Sequence, residues 1–458
     1  MASYADPASP SPAATRGWRR FVAQTSERIN SLPVVAGLIL VYGWLTYFIF
    51  VDVIGINIGF IRAGFQYYPP VEYSRALSFL VTLIPLLWLR RSFHQLSDIL
   101  IFQVYLFVFV PSAIYLTVAV PATFDRQLGI HATLLGAQAL LELRRLLPTL
   151  SFARVPLSER FYVVFLYMMA FGAIAAMLYL GEYSADSFDF TTVYDRRADT
   201  IVQQSGSILP YIANATAASL APICLVYGLL RRHWVLALLG LVIAVESFGA
   251  TSFRSHLFVP LFAAAVTLLL RGFGLRSFGW ILVAVAIGLT IIPLALDMVT
   301  GSGGILSWII HFRFIGNNGY LTAQYFDFFE HAAKGLYQDS FGRFLFDPQY
   351  SRPIAEMVGS SFSIEGNHAN GNFWADGYGN LGVGGVIFAS LSLVMVCWLL
   401  DSLVDRKIIP ISIAAIVSFG FGVSNTAVHS VITSNGGALL ILLLLLMPSD
   451  RQSPSTRK

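Results

Sequence analysis

Long apolar runs, broken at short intervals by arginine pairs, glycines and prolines, set the pattern of this chain. A helix that crosses ~30 Å of hydrocarbon needs about 20 mostly apolar residues. On that measure the runs place twelve spans, at roughly 33–54, 74–90, 97–120, 127–143, 161–181, 206–230, 234–252, 256–270, 278–299, 378–400, 408–428 and 435–448. The pattern therefore predicts an all-α polytopic membrane protein. The fourth span is the weakest, being interrupted by His131 and Gln138. Residues 1–30 read as a disordered cytoplasmic tail, 31–300 as a nine-span bundle, 301–377 as a large loop, 378–448 as the last three spans and 449–458 as a second tail. The loop is too rich in aromatics for a disordered linker, with Trp308, Phe312, Tyr320, Tyr325, Phe328 and Tyr337 among them. It predicts short helices lying over the outer mouth of the bundle.

Charge orients the layout. With the N-terminus inside, the inner connections hold Arg16, Arg19, Arg20 and Arg28, then Arg90 and Arg91, Arg144, Arg145, Arg154 and Arg160, Arg231 and Arg232, Arg271 and Arg276, and Arg406 with Lys407. With the basic residues after 450, these make up most of the 29 basic residues, crowded into short loops as the positive-inside rule requires. Removing the fourth span would invert every later loop, so it is retained. A second outer segment, about 182–205, is acidic and polar.

Composition agrees, with 56% hydrophobic and 12% charged residues and a mean hydropathy of +0.69. A soluble domain could not bury that much apolar surface. The net charge of +4 is spread through loops and gives no basic face for nucleic acid. Cys224 and Cys397 both fall inside apolar runs, which excludes a disulfide framework or a cysteine metal site. No carboxylate cluster has the spacing of a divalent-ion site, and neither a metal nor a cofactor is predicted.

The residues able to do chemistry gather outside. They are Arg254 and His256 in "TSFRSH", His311 and Arg313 in "WIIHFRF", Arg343 in "FGRF" and Arg352 in "YSRP". Guanidinium forks suit phosphate because they stay charged and bond bidentately. Arg343 and Arg352 have an ordinary alternative, neutralising the loop's own carboxylates. Arg313 has another, as an anchor snorkelling to the headgroups. Arg254 stands in a connection of a few residues between two apolar spans, where a charge is costly and tends to mark function. If the seventh span continues that far, Glu246, Ala250 and Arg254 share one helix face, with Glu246 ~12 Å deeper.

The stretch "EGNHANGNFWADGYGNLGVGG", from Glu365 to Gly385, leads into the tenth span. Asn367, His368, Asn370 and Asn372 offer hydrogen bonds to hydroxyls, Trp374 offers a flat apolar face, and Asp376 can accept a proton. Gly382 and Gly385 suit small-residue helix packing. Amides and aromatics beside phosphate-binding arginines fit a sugar carried on a lipid pyrophosphate.

The passage "GNHANGNFWADGYGNLGVGGVIFASLSLVMVCWLLD" resembles the bacterial O-antigen polymerases, the oligosaccharide repeat-unit polymerase family. "GATSFRSHLFVPL" looks like that family's short arginine-bearing motif between two spans, and "RFIGNNGYLTAQYFDFF" like the start of its periplasmic loop. The likeness covers about residues 245–400, and Leu381 stands where the family often has tyrosine or phenylalanine. The resemblance implies a metal-independent glycosyltransferase of a bacterial inner membrane, working on the periplasmic face. It would join repeat units carried on undecaprenyl pyrophosphate, with membrane lipid as its surroundings and a chain-length regulator as its protein partner. On that reading Arg254 and Arg313 meet the leaving pyrophosphate. Asp376 leads as the base for the acceptor hydroxyl, with His368 second. His311, Arg343, Arg352, Asn367, Asn370, Asn372 and Trp374 would hold substrate. Two other classes compete. An O-antigen ligase would pass the same donor to a lipid core. A transporter of polyprenyl-linked glycans would keep its ionisable residues at mid-bilayer and show internal repeats, neither of which is visible.

Overall fold

The computed structural model describes residues 24–55, 65, 67–150, 155, 157–181, 207–362, 368–404 and 408–448. Within them the chain is helical, and no strand occurs among the described residues. Each of the twelve predicted apolar segments is a helix. Eight are long and apolar enough to cross a membrane: α1 (Leu32–Ile54), α3 (Leu96–Tyr115), α5 (Glu159–Leu180), α6 (Leu209–Arg231), α7 (Trp234–Thr251), α8 (Arg254–Phe273), α9 (Leu275–Thr300) and α12 (Phe373–Leu403). Three more are apolar but shorter: α2 (Ser74–Leu87), α13 (Ile409–Asn425) and α15 (Gly437–Leu446). The remaining one, α4 (Phe124–Leu140), owes its weak signal to one face. Gln127, His131 and Gln138 are all buried, and at i, i+4 and i+11 they point inward together. His131 places Nδ1 2.7 Å from the Gln127 carbonyl and Nε2 3.0 Å from that of Ala113. Of the polar residues that blur the apolar run, His131 is the one that bonds to α3.

Helix α3 is apolar all round and is enclosed along its length, as a helix without a polar face must be. Several polar groups on and around it bond across to its neighbours. Tyr42 of α1 donates to the Leu106 carbonyl at 2.9 Å. Tyr105 donates to Thr82 of α2 at 2.6 Å, and Gln103 to Val417 of α13 at 3.0 Å.

Two regions differ from the sequence reading. The lead-in is ordered from residue 24, where a tail disordered to residue 30 was expected. Asn30 donates to the carbonyls of Arg91 at 2.8 Å and Arg276 at 3.2 Å, and Trp280 Nε1 donates to Ser26 at 2.8 Å. Residues 1–23, the acidic segment 182–205 and the tail 449–458 lie outside the described residues. The second difference is Arg144, expected to be a loop cation, which is 2% exposed. Its Nη2 pairs with buried Asp98 at 2.6 Å, and Nη1 donates to Gln95 at 3.2 Å and to Ser97. Ser97 in turn donates to Asp401 of α12 through its hydroxyl and, at 2.9 Å, its backbone N–H.

Between α9 and α12 the chain makes a π-helical stretch, Trp308–Gly316, then α10 (Asn317–His331) and α11 (Ile354–Phe362). Short helices were expected here, but over the mouth of the bundle; instead α10 is mostly buried, with Asn318 donating to the Phe107 carbonyl of α3 at 2.9 Å. Arg126 of α4 ties α10 down through Asp327 at 2.8 Å and Glu330.

Helix α12 is not continuous. Leu381 (φ −140, ψ 19) and Gly382 (φ 62, ψ −142) break it. Only glycine readily adopts that second conformation, so Gly382 is set by backbone geometry and not by the helix packing predicted for it. Across the break the backbones of Gly377 and Gly385 touch. A Cβ on Gly377 would lie 2.5 Å from the Gly385 carbonyl oxygen. Gly385 is thus a close-approach glycine within its own helix, rather than a contact to a neighbouring one.

Candidate functional site

Helix α7 stops at Thr251 because Ser252 turns left-handed, with φ 58. Phe253 is extended and Arg254 opens α8. The shared face of Glu246 and Arg254 therefore does not exist, because the two residues stand on different helices. His256 holds the turn. Its Nδ1 is 2.9 Å from the Thr251 hydroxyl and its Nε2 2.8 Å from Asn214 Oδ1 on α6. Arg254 thus stands at the positive end of a 20-residue helix, where the macrodipole disfavours a cation and favours an anion.

Arg313 is placed by the π-helical stretch. An i→i+5 repeat stacks residues five apart, and Arg313 lies over the Trp308 indole, 4.5 Å from its centroid. This contact fixes the guanidinium by a cation–π attraction.

The polar stretch supplies the third wall. Ala369 is buried; its carbonyl accepts from Tyr325 at 2.8 Å and its N–H donates to Ala355 at 2.8 Å. Pinned there, it leaves exposed His368 and Asn370 on either side to line a cavity.

That cavity has a volume of about 510 Å³ and brings together Arg254, Arg313, His368 and Asn370. The size suits a small-molecule or sugar headgroup. Four amides missed by sequence reasoning also line it: Asn214, Asn317, Asn425 and Asn435. For Asn425 and Asn435 the available signal was position, at the end of one apolar segment and just before another, whereas Asn214 sits inside α6. Hydroxyls add to the wall, Ser430 and Ser434 from α14 (Val428–Thr433) and the residue after it among them. Among the described lining residues there is no carboxylate and no lysine. The cavity can therefore take an anion against its guanidinium groups and hydroxyl groups against its amides.

The other predicted residues lie elsewhere. Asp376 is in the first turn of α12, where Asp339, Tyr325 and Tyr337 are its charged or ionisable neighbours. It is not among the residues lining the arginine cavity. Asn372 is fully buried and caps α12. Its Oδ1 accepts from Trp374 N–H at 3.0 Å and Ala375 N–H at 3.1 Å, while its Nδ2 donates to Asn318 and Thr322 of α10. Trp374 is fully buried, with Nε1 donating to Ser390 at 2.9 Å. Both are parts of the packing. His311 is also fully buried, with Nδ1 2.9 Å from Thr290; burial pushes its pKa down to about 3, so it stays neutral. Arg352 lies 3.6 Å from Glu356, and Arg343 is exposed over the ring of Phe344. Asn367 lies outside the described residues.

No protein-family model, curated protein or solved structure matches the chain.

Proposed function

We propose that this chain is a membrane glycosyltransferase that polymerises oligosaccharide repeat units carried on undecaprenyl pyrophosphate. The observation that carries the proposal is the convergence of Arg254, Arg313, His368 and Asn370, from three separate parts of the chain, on one cavity with no carboxylate among its described lining residues. In this reading all twelve apolar helices span a bacterial inner membrane, residues 24–30 lie inside, and the cavity opens on the periplasmic side. The ends of α7 and α13 and the start of α8 then meet at one face of the bundle.

The reaction asks three things of the site. As the acceptor hydroxyl oxygen bonds to the anomeric carbon, the carbon–oxygen bond to pyrophosphate breaks and leaves negative charge on the phosphate. Arg254, Arg313 and the N-terminus of α8 meet that charge. The hydroxyl proton goes to His368, which lines the cavity beside the arginines; His256 lines it too, but its two ring nitrogens are engaged with Thr251 and Asn214. Amides such as Asn214, Asn370 and Asn425 hold sugar hydroxyls. The base expected from sequence, Asp376, gives way to His368 because the cavity reaches the histidine.

The test is transfer between two purified lipid-linked repeat units by the reconstituted protein. Arg254→Ala and Arg313→Ala should each slow turnover about 10²–10³-fold, the usual cost of one preorganised group at a developing anion. Arg254→Lys should recover part of that, since an ammonium loses the bidentate contact. Transfer to a lipid core sugar with no polymer formed would favour a ligase. Passage of intact substrate across vesicles without transfer would favour a transporter. Either result would overturn the proposal.

A further inference from the structure

The segment Phe341–Phe346 turns an apolar edge outward, with Phe341 40%, Phe344 75%, Leu345 69% and Phe346 52% exposed. It is held there by a stiff hub. Leu336 (φ 50) and Tyr337 (φ 57) are consecutive non-glycine residues in the left-handed region, a conformation that persists only where its surroundings enforce it. The enforcing contacts come from α12. Gly335 N–H donates to the Gly379 carbonyl at 3.0 Å, Leu336 N–H to the Asn380 carbonyl at 3.1 Å, and Tyr337 N–H to Asn380 Oδ1 at 2.6 Å. Gly342 closes the turn onto Tyr337 at 3.0 Å, and a Cβ there would overlap the Leu336 carbonyl.

The outward edge continues a surface that needs a cover of its own kind. On α12, Val383, Ile387, Leu391 and Met395 are exposed at four-residue intervals, forming one stripe on a helix apolar enough to span. Phe388, 46% exposed beside that stripe, lies 6.3 Å from the Phe341 ring and 5.8 Å from Tyr337. Phe388 is six residues past the break at Gly382, or ~9 Å along the straight part of the helix. The segment therefore flanks the first turns of the span, at the depth where interfacial elements bury apolar side chains among headgroups and upper acyl chains. Arg343 projects from the middle of this edge, 4.7 Å from the Phe344 ring centroid. That placement is the aliphatic-stem, charged-tip arrangement of an interfacial cation.

We propose that Phe341–Phe346 inserts into the phospholipid leaflet beside α12, with Arg343 bound to a lipid phosphate. The occupant is the bilayer itself, because the exposed edge is continuous with the lipid-facing stripe of α12.

The experiment uses full-length protein in nanodiscs of mixed phosphatidylcholine and phosphatidylglycerol. Nitroxides are placed singly at Phe344→Cys, Phe346→Cys and Gln349→Cys; the native cysteines are buried and do not compete. Power-saturation EPR should show the labels at 344 and 346 colliding severalfold more with oxygen than with a water-soluble nickel chelate, and the label at 349 the reverse. Adding Arg343→Glu should cut the oxygen preference at 346 severalfold, because the carboxylate is repelled by the phosphates. Labels at 344 and 346 that meet nickel as freely as 349 would overturn the insertion, as would exclusion of both reagents, which marks a protein contact. An unchanged depth in the Arg343→Glu protein would overturn the phosphate contact. None of these readouts depends on transfer activity.

Discussion

Arg144→Met is the sharpest test of how the bundle is held together. In the native protein one guanidinium serves three carboxylates, Asp98 directly at 2.6 Å, Glu142 at 3.7 Å and Asp401 through Ser97. Asp98 keeps the N–H groups of His94 and Gln95 at 2.9 and 2.8 Å whatever happens to Arg144. Its charge, however, would be left in a site that is 2% exposed. Breaking such a pair by removing one partner costs about 3–5 kcal/mol, here mostly the penalty of a buried carboxylate left with the more distant Arg90, 3.9 Å away. At about 1.4 kcal/mol per decade, the folding equilibrium should fall roughly a hundred- to several-thousandfold. Methionine keeps most of the volume, so the loss reports charge and not a cavity. The assay is unfolding by SDS in mixed micelles, followed with a thiol dye that reaches Cys224 and Cys397 only as the core opens. Arg144→Met combined with Asp98→Asn should recover about 0.5–3 kcal/mol, the range for directly coupled residues. If Arg144→Met alone costs less than about 0.5 kcal/mol, the residue behaves as a surface cation, and the reasoning fails.

Three further outcomes follow from the site and its supports. Gly382→Ala should destabilise the fold by about 1–3 kcal/mol, because alanine is strained at φ 62, ψ −142; Gly384→Ala, which meets nothing within 4 Å, is the neutral control in the same unfolding assay. His368→Ala should slow transfer about 10²-fold or more, the ordinary contribution of a positioned base. Asp376→Asn should leave most of that activity, and single-turnover rates that reverse the order would return the base to Asp376. Single cysteines at exposed Thr25 and Gln349 should label from opposite sides of intact cells, position 349 alone reacting with an impermeant maleimide. Labelling of 25 alone would invert the layout.

The helices were legible because hydrophobic periodicity and length are local properties. Even α4 was placed, by charge balance, although Gln127, His131 and Gln138 lowered its hydropathy. What could not be read was which side of an element a residue faces. Arg144 counts as a loop cation by sequence position, yet the turn after α4 folds it under Asp98. Asn372 and Trp374 looked like sugar contacts, being an amide and an aromatic in a polar stretch. Each satisfies a partner brought from far away in the chain, Thr322 at 2.7 Å and Ser390 at 2.9 Å. The glycine cluster was visible, but its cause was not. A packing glycine and one with φ 62 have the same letter, and only the backbone separates them. The π-helical stretch had no signal in the sequence, because its i→i+5 register is set by packing.

Chemistry at one face of the bundle follows from what the helices can bear. A buried guanidinium needs a buried counter-charge, as Arg144 in the turn after α4 has in Asp98. A site meant to receive an anion cannot keep a carboxylate in that place, since it would compete with the ligand. Helix ends resolve the conflict. There the chain leaves the apolar layer, unsatisfied N–H groups face outward, and arginines can be held by aromatic and dipolar contacts. Arg313 on Trp308 and Arg254 at the start of α8 are both of this kind. A cation at a helix N-terminus is unfavourable by itself, and the balance changes sign when a phosphate arrives between guanidinium and backbone. On the proposed function that phosphate is the leaving group, which is why the two arginines, and not the carboxylates beside α12, carry the functional reading.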